Sequence, residues 1–413
     1  MRISKITWII AVFSPTALAS IGDTLPEFHN CLEQCYNFMS CSHQTIFEKI
    51  ESAREQIQEQ QQQQQQRAKG EQEAPPLLQK REISVMTPET QEHPIEDFAT
   101  EYEISALSPF KYLWSCEADC NYKCQQIVTN KREKTGLPVV QFYGKWPFTR
   151  VFGVQEFFST VFSLGNFYVN YISLDRVVQQ YYKNSKSDPQ QQRYSVMVAQ
   201  YVVLIVVSLV GWSFSSLFHL RDNNITETLD YFGASAIILS NFNAIVVRYF
   251  SLFKTNTNIL SLWYGILLFV YVSHCVKLLY NWDYWYNTMA NLVVGVSAMV
   301  LWCLHALNVK RQYSRNYIMY NNSIQLLPFE TKLLTKLNHI GLGQAKLVPV
   351  LPALFNLWLF VGVSFEFFDW APIQRLVDAH SIWHLFTILP TIFWYDWNIW
   401  DIEMMKITDK ALR

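Results

Sequence analysis

Apolar residues are spread very unevenly along this chain. From residue 149 onward they gather into seven stretches, at about 149–172, 196–219, 230–250, 259–279, 288–307, 347–368 and 379–398. Each is long enough to cross a bilayer core of about 30 Å at about 1.5 Å per helical residue. Residues 20–147 hold no stretch of that length. Ahead of them, Arg2 and Lys5 precede an apolar run over residues 6–13 and then Ala17-Leu18-Ala19. That is the order of a secretory signal peptide, cleaved after residue 19, with a retained anchor as the competing reading. Residues 20–147 therefore read as lumenal or extracellular. The pattern predicts an all-α membrane protein with seven transmembrane helices in a catalytic domain over residues 148–400. A small disulfide-bonded lumenal domain precedes them, and a cytosolic tail, residues 401–413, follows.

Charge supports one orientation. With the first domain in the lumen, the cytosolic loops hold Arg176, Lys183, Lys186 and Arg193, then Arg248 and Lys254, then Lys310, Arg311, Arg315, Lys332, Lys336 and Lys346. The lumenal loops hold Arg221 and Arg375. This is the positive-inside bias, and it agrees with the signal peptide. The same topology makes the sequon Asn321-Asn322-Ser323 cytosolic and unmodified, and puts Asn224-Ile225-Thr226 in the lumen close to the membrane.

Composition adds exclusions. The 413 residues are 50% hydrophobic and only 16% charged, against a charged share of about a quarter in soluble domains. A formal net charge of −1 disfavours a nucleic-acid binder, and the 13 glycines form no phosphate-binding loop. Aromatic residues reach 15%, with 14 Trp, as suits a protein with many helix ends at a lipid–water boundary.

Six of the eight cysteines precede the first span: Cys31, Cys35, Cys41, Cys116, Cys120 and Cys124. In an oxidising lumen they read as disulfides. Cys31/Cys35 and Cys116/Cys120/Cys124 are spaced to share a helix face, so they could staple two antiparallel helices. Their pairing stays open at this level, and a structural zinc site is a rival reading weakened by the lack of histidine partners. Residues 51–97 form a Gln-, Glu- and Pro-rich insertion, with glutamine throughout 60–66, whose composition predicts a disordered segment or ragged helix.

Ionisable residues at membrane depth are functional candidates by default. Ser215 and His219 are four apart at the end of the second span, and His380 and His384 are four apart at the start of the seventh. Asp230 follows His219 by eleven residues, with the chain returning to the same side of the membrane. The three histidines supply the three protein ligands of a catalytic zinc site. Asp230 would take a proton from a water there, and Ser215 would donate to a developing oxyanion. A serine nucleophile activated by His219 is a competing mechanism. His274 is a rival ligand, His305 is excluded by depth, and Glu156 in the first span is a candidate contact for substrate or an ion. Cys275 and Cys303 lie within spans and read as ordinary buried residues.

The ordered set of Ser215, His219, Asp230, His380 and His384 in a seven-span chain resembles the CREST superfamily of membrane hydrolases and receptors. Finer motifs resemble its post-GPI-attachment phospholipases: Trp114-Ser115-Cys116, Asp119-Cys120-x-Tyr122-x-Cys124, residues 140–148 (VQFYGKWPF), Phe218-His219-x-Arg221-Asp222, residues 229–232 (LDYF) and Asp378-Ala379-His380-x-Ile382-Trp383-His384. The chain departs from that pattern at Phe157, where proline is expected, and in its Gln-rich insertion. The resemblance implies Zn2+ and hydrolysis of the sn-2 acyl ester of GPI-anchored proteins in the endoplasmic reticulum, where fungal members reside, rather than in the Golgi. The alternatives are an alkaline-ceramidase-like amidase and a non-enzymatic seven-span receptor or folding factor.

Overall fold

The computed structural model describes residues 20–39, 41, 110, 113–186, 188–316, 336–337, 340–341 and 347–411. The expected signal peptide, the Gln-rich insertion and the sequon at 321–323 lie outside the described residues. The chain divides into two compact units, Met1–Gly153 and Val154–Arg413. Among the described residues both are built from helices, without strands.

The first unit pairs α1 (Pro26–Met39) with α2 (Cys116–Lys134). Ser115 starts α2 by accepting from the Ala118 amide, an N-cap that satisfies one of the free donors of the first turn. Two disulfides join the two helices in antiparallel register, Cys31–Cys124 and Cys35–Cys120, and a third links Cys41, just past α1, to Cys116 at the start of α2. Phe28, Leu32, Val128, Val140 and Phe142 fill the space beside them. The turn around Phe142 is held against Gly22, whose amide donates to the Gln141 carbonyl at 3.0 Å. A Cβ on Gly22 would lie 2.5 Å from both that oxygen and the Phe142 ring, so the approach requires glycine.

The second unit contains α3 (Phe157–Ser185), α4 (Pro189–Leu220), α5 (Asn224–Tyr249), α6 (Thr257–Tyr280), α7 (Tyr284–Asn316), α8 (Leu351–Phe368) and α9 (Ala379–Ala411). Helices α3, α4, α5, α7, α8 and α9 form a closed ring, each packed on the next and α9 returning to α3, while α6 lies outside against α5. Among the described residues five helices, α4 to α8, are long and apolar enough to cross a membrane. Helices α3 and α9 have the length but a more polar composition, and the cause is their inward faces. Along α3, Ser159, Ser163, Asn166, Asn170, Ser173, Gln180 and Asn184 are buried at intervals of three, four and seven, the spacing of one helix face.

That face meets α9 in a polar seam. Asn166 donates to the His384 carbonyl at 2.9 Å, Tyr395 donates to Asn170 at 2.8 Å, and Arg176 pairs with Asp396 at 2.6 Å. Farther along, Gln180 and Lys183 meet Glu403, and Lys406 meets Asn184. At this end Arg248 grips Asp401 through two bonds of 2.6 and 3.0 Å, His305 adds a third at 3.2 Å, and Lys254 pairs with Asp409. Trp302 packs on Trp394 beside them.

Two boundaries differ from the hydropathy reading. The first long helix begins at Phe157 rather than near 149, because residues 151–154 form a turn and Glu156 is not helical. The last helix runs on to Ala411 through the expected tail. Its final turns carry Asp401, Glu403 and Asp409, whose bonds to neighbouring helices keep it wound.

Candidate metal centre

Three helix ends converge at the opposite end of the ring. Helix α4 finishes at Leu220 with Ser215 and His219 in its last two turns. Helix α5 starts at a capping box in which Asn223 accepts from the Ile225 and Thr226 amides while Thr226 Oγ1 accepts from the Asn223 amide. This puts Asp230 in its second turn. Helix α9 starts the same way, the Asp378 carboxylate accepting from the Ser381 amide at 2.8 Å and Ser381 Oγ from the Asp378 amide at 3.1 Å, so His380 and His384 occupy its first two turns. Glycines bring α4 and α5 together: a Cβ on Gly233 would lie 2.9 Å from the Gly211 Cα. Gly211 is one turn from Ser215 and Gly233 one turn from Asp230, so the close packing sits beside the polar residues.

His219, His380 and His384 each offer a ring nitrogen, and the three nitrogens lie within 4.8 Å of one another. Among the described residues no other group of three or more His, Cys, Asp or Glu is so arranged. Ring centroids are 5.1 Å apart for His219 and His380, 5.0 Å for His219 and His384, and 4.4 Å for His380 and His384. Two of the rings are backed by carboxylates. His219 Nδ1 lies 2.7 Å from Glu156 Oε2, and His380 Nδ1 lies 2.9 Å from both oxygens of Glu366. A proton on Nδ1 donated to a carboxylate leaves Nε2 as a bare lone pair, which is how metal-binding imidazoles are held. His219 Nε2 is buried and has no hydrogen-bond partner, a costly state for a polar atom unless a ligand takes it. The donor set therefore fits a small divalent cation of the zinc type.

Asp230 is buried near His219, His380 and Ser215. Ser215 Oγ is 3.1 Å from Ser163 Oγ. The five polar residues expected to act together thus stand at one place. Glu156, expected to meet substrate or an ion, sits just ahead of α3. Its amide donates to the His219 carbonyl at 3.0 Å and its carboxylate holds the same residue's ring. His274 stands apart from the three, with Ser235 at 3.1 Å and Tyr286 at 3.4 Å, and His305 is engaged with Asp401 at the other end. Cys275 and Cys303 are free thiols. Sequence reasoning missed Glu366 and Ser163. The first lies at the end of an apolar span, and the second is one of several small polar residues on α3.

A family profile described as the Per1-like family matches residues 107–402. The chain belongs to the Per1-like family. Protein PER1 of Saccharomyces cerevisiae is 32% identical over 324 residues, 78% of this chain and 85% of that protein. Post-GPI attachment to proteins factor 3 of Drosophila melanogaster is 29% identical over 309 residues, 73% of this chain and 79% of that protein. A human protein named GPI-specific phospholipase A2-like PGAP3 is 30% identical over 279 residues, 67% of this chain and 72% of its own length. No solved structure matches. The motif-based resemblance agrees with membership of the Per1-like family, and the region matched contains all three histidines, Asp230, Ser215, Glu156 and Glu366.

Proposed function

We propose that this Per1-like protein is a seven-span, zinc-dependent hydrolase that removes the sn-2 acyl chain from GPI-anchored proteins at the lumenal face of the endoplasmic reticulum. The observation that carries this reading is the convergence of His219, His380 and His384 with Asp230 and Ser215 at one end of the helix ring. The relatives' names supply the substrate class, GPI-anchored proteins, and the reaction type, phospholipase A2.

Zinc held by the three histidines would supply Lewis acidity toward an ester carbonyl and lower the pKa of a water to about 7. The remaining chemistry belongs to the chain. Asp230, beside the histidines, accepts the proton of the attacking water. Glu156 and Glu366 hold the rings of His219 and His380 in one tautomer and orientation. These residues lie at helix ends, the depth at which an sn-2 ester sits below its headgroup while glycan and protein extend into the lumen.

Two features support seven spans rather than five. Helices α3 and α9 are ring members between α4 and α8, so they share the depth of their neighbours. Their polar faces point inward, and the outward faces carry exposed Val161, Leu164, Tyr168 and Ile172 on α3 and Leu385 and Leu389 on α9.

Mass spectrometry of GPI-anchor lipids beside total ceramide, in cells lacking the protein, tests the reading. Anchors that keep their original unsaturated sn-2 chain with ceramide unchanged are expected. Unchanged anchors with raised ceramide would instead assign a ceramidase-like amidase, and no change in either a receptor or folding factor.

A further inference from the structure

Ser163 is fully buried on the inward face of α3. Serines inside spans usually bond back to their own helix, as Ser173 does to the Val169 carbonyl at 2.8 Å and Ser213 to the Leu209 carbonyl at 2.7 Å. Ser163 joins two side chains from other helices. Its Oγ lies 2.8 Å from His384 Nδ1 and 3.1 Å from Ser215 Oγ. Ser163 thus ties the start of α9 to the end of α4.

When His384 gives Nε2 to a metal it carries its proton on Nδ1 and donates to Ser163. That bond uses one lone pair of Ser163 Oγ and leaves the hydroxyl able to pair with Ser215 as well. His384 is also the one ligand of the three whose second nitrogen meets a hydroxyl where His219 and His380 meet carboxylates.

We propose that Ser163 is a positioning residue that fixes the tautomer of His384 for metal binding and holds Ser215 beside it. The assignment rests on the metal-hydrolase reading above and adds a member to its site.

The test uses the full chain purified in detergent, with zinc affinity measured by competition against a chromophoric chelator and fatty-acid release measured on a purified GPI-anchored protein. Partners behind metal ligands typically contribute 10- to 100-fold to metal affinity. Ser163→Ala should weaken zinc binding by about that factor and lower kcat with KM unchanged. Ser163→Cys, of nearly native size but a poor hydrogen-bonding group, should do the same, which separates the effect from packing. Ser163→Thr keeps the hydroxyl and should restore both readouts. Ser173→Ala, a buried hydroxyl on the same helix face, should change neither. Wild-type zinc affinity in both Ser163→Ala and Ser163→Cys overturns the assignment while leaving the hydrolase reading intact. Weakened zinc affinity in a chain whose wild type releases no fatty acid upholds Ser163 and overturns the hydrolase. A wild type that binds no zinc overturns both.

Discussion

Glu156 offers the sharpest separation between holding a metal ligand and touching substrate. Its amide is bonded to the His219 carbonyl and its carboxylate to His219 Nδ1 at 2.7 Å. The amide bond survives any side-chain substitution, so variants isolate the carboxylate. Glu156→Gln keeps an acceptor oxygen for Nδ1 and loses the charge. Glu156→Ala loses both and leaves a buried ring nitrogen without its carboxylate. Loss of such a partner typically costs 10- to 100-fold in metal affinity, about 1.4 to 2.8 kcal/mol at about 1.4 kcal/mol per tenfold. A hydrogen bond involving a charged group is worth about 1.5 to 3 kcal/mol, so two independent estimates coincide. We expect about tenfold weaker zinc for Glu156→Gln and about 100-fold for Glu156→Ala. Chelator competition on the purified protein reads both directly, and fatty-acid release at saturating zinc reads KM. Wild-type zinc affinity in both variants together with a raised KM would refute the argument and make Glu156 a substrate contact.

Replacing any of His219, His380 or His384 by alanine should lower bound zinc and abolish fatty-acid release in folded protein; unchanged metal content in all three variants removes the site. Asp230→Asn should retain zinc and lose most turnover, because an amide cannot take the water's proton; near-normal release excludes Asp230 as the base. At the far end of the ring, Asp401→Ala strips the buried carboxylate shared by Arg248 and His305, and removing one partner of a buried pair costs about 3–5 kcal/mol. Its expected mark is early loss of folded protein on heating, followed by fluorescence-detected size exclusion, with activity per folded molecule unchanged.

The grouping of Ser215 with His219 and of His380 with His384 was legible because residues four apart on a helix share a face, and the caps at Asn223 and Asp378 occupy the positions that helix starts favour. The cysteines showed faces but not partners. Spacing within each helix says nothing about the offset between two helices, and that offset decides that Cys31 meets Cys124 and Cys35 meets Cys120. Hydropathy misplaced the start of α3 because the apolar Val151, Phe152 and Val154 ahead of it lie in a turn, which hydropathy does not distinguish from a helix. Ser163 and Glu366 were invisible for a different reason. Each matters through one contact with a residue far away in sequence, His384 and His380 respectively, and nothing local separates Ser163 from Ser159 or Ser173.

Helix α9 carries two ligand histidines in its first turns and the acidic clamps for Arg248, Lys183 and Lys254 in its last. It follows the other helices of the ring in sequence. Before it arrives, the site has a single histidine on α4, and the ring is open between α3 and α8. Assembly of the three-histidine cluster is therefore tied to the arrival of α9: a polypeptide that has inserted only the earlier helices of the ring holds one of the three candidate ligands. The ion pairs at the far end of α9 anchor it against the helices that carry Arg248 and Lys183, while its first turns carry two of the three histidines; in the proposed reading, a site for ester hydrolysis forms only when α9 has joined the ring.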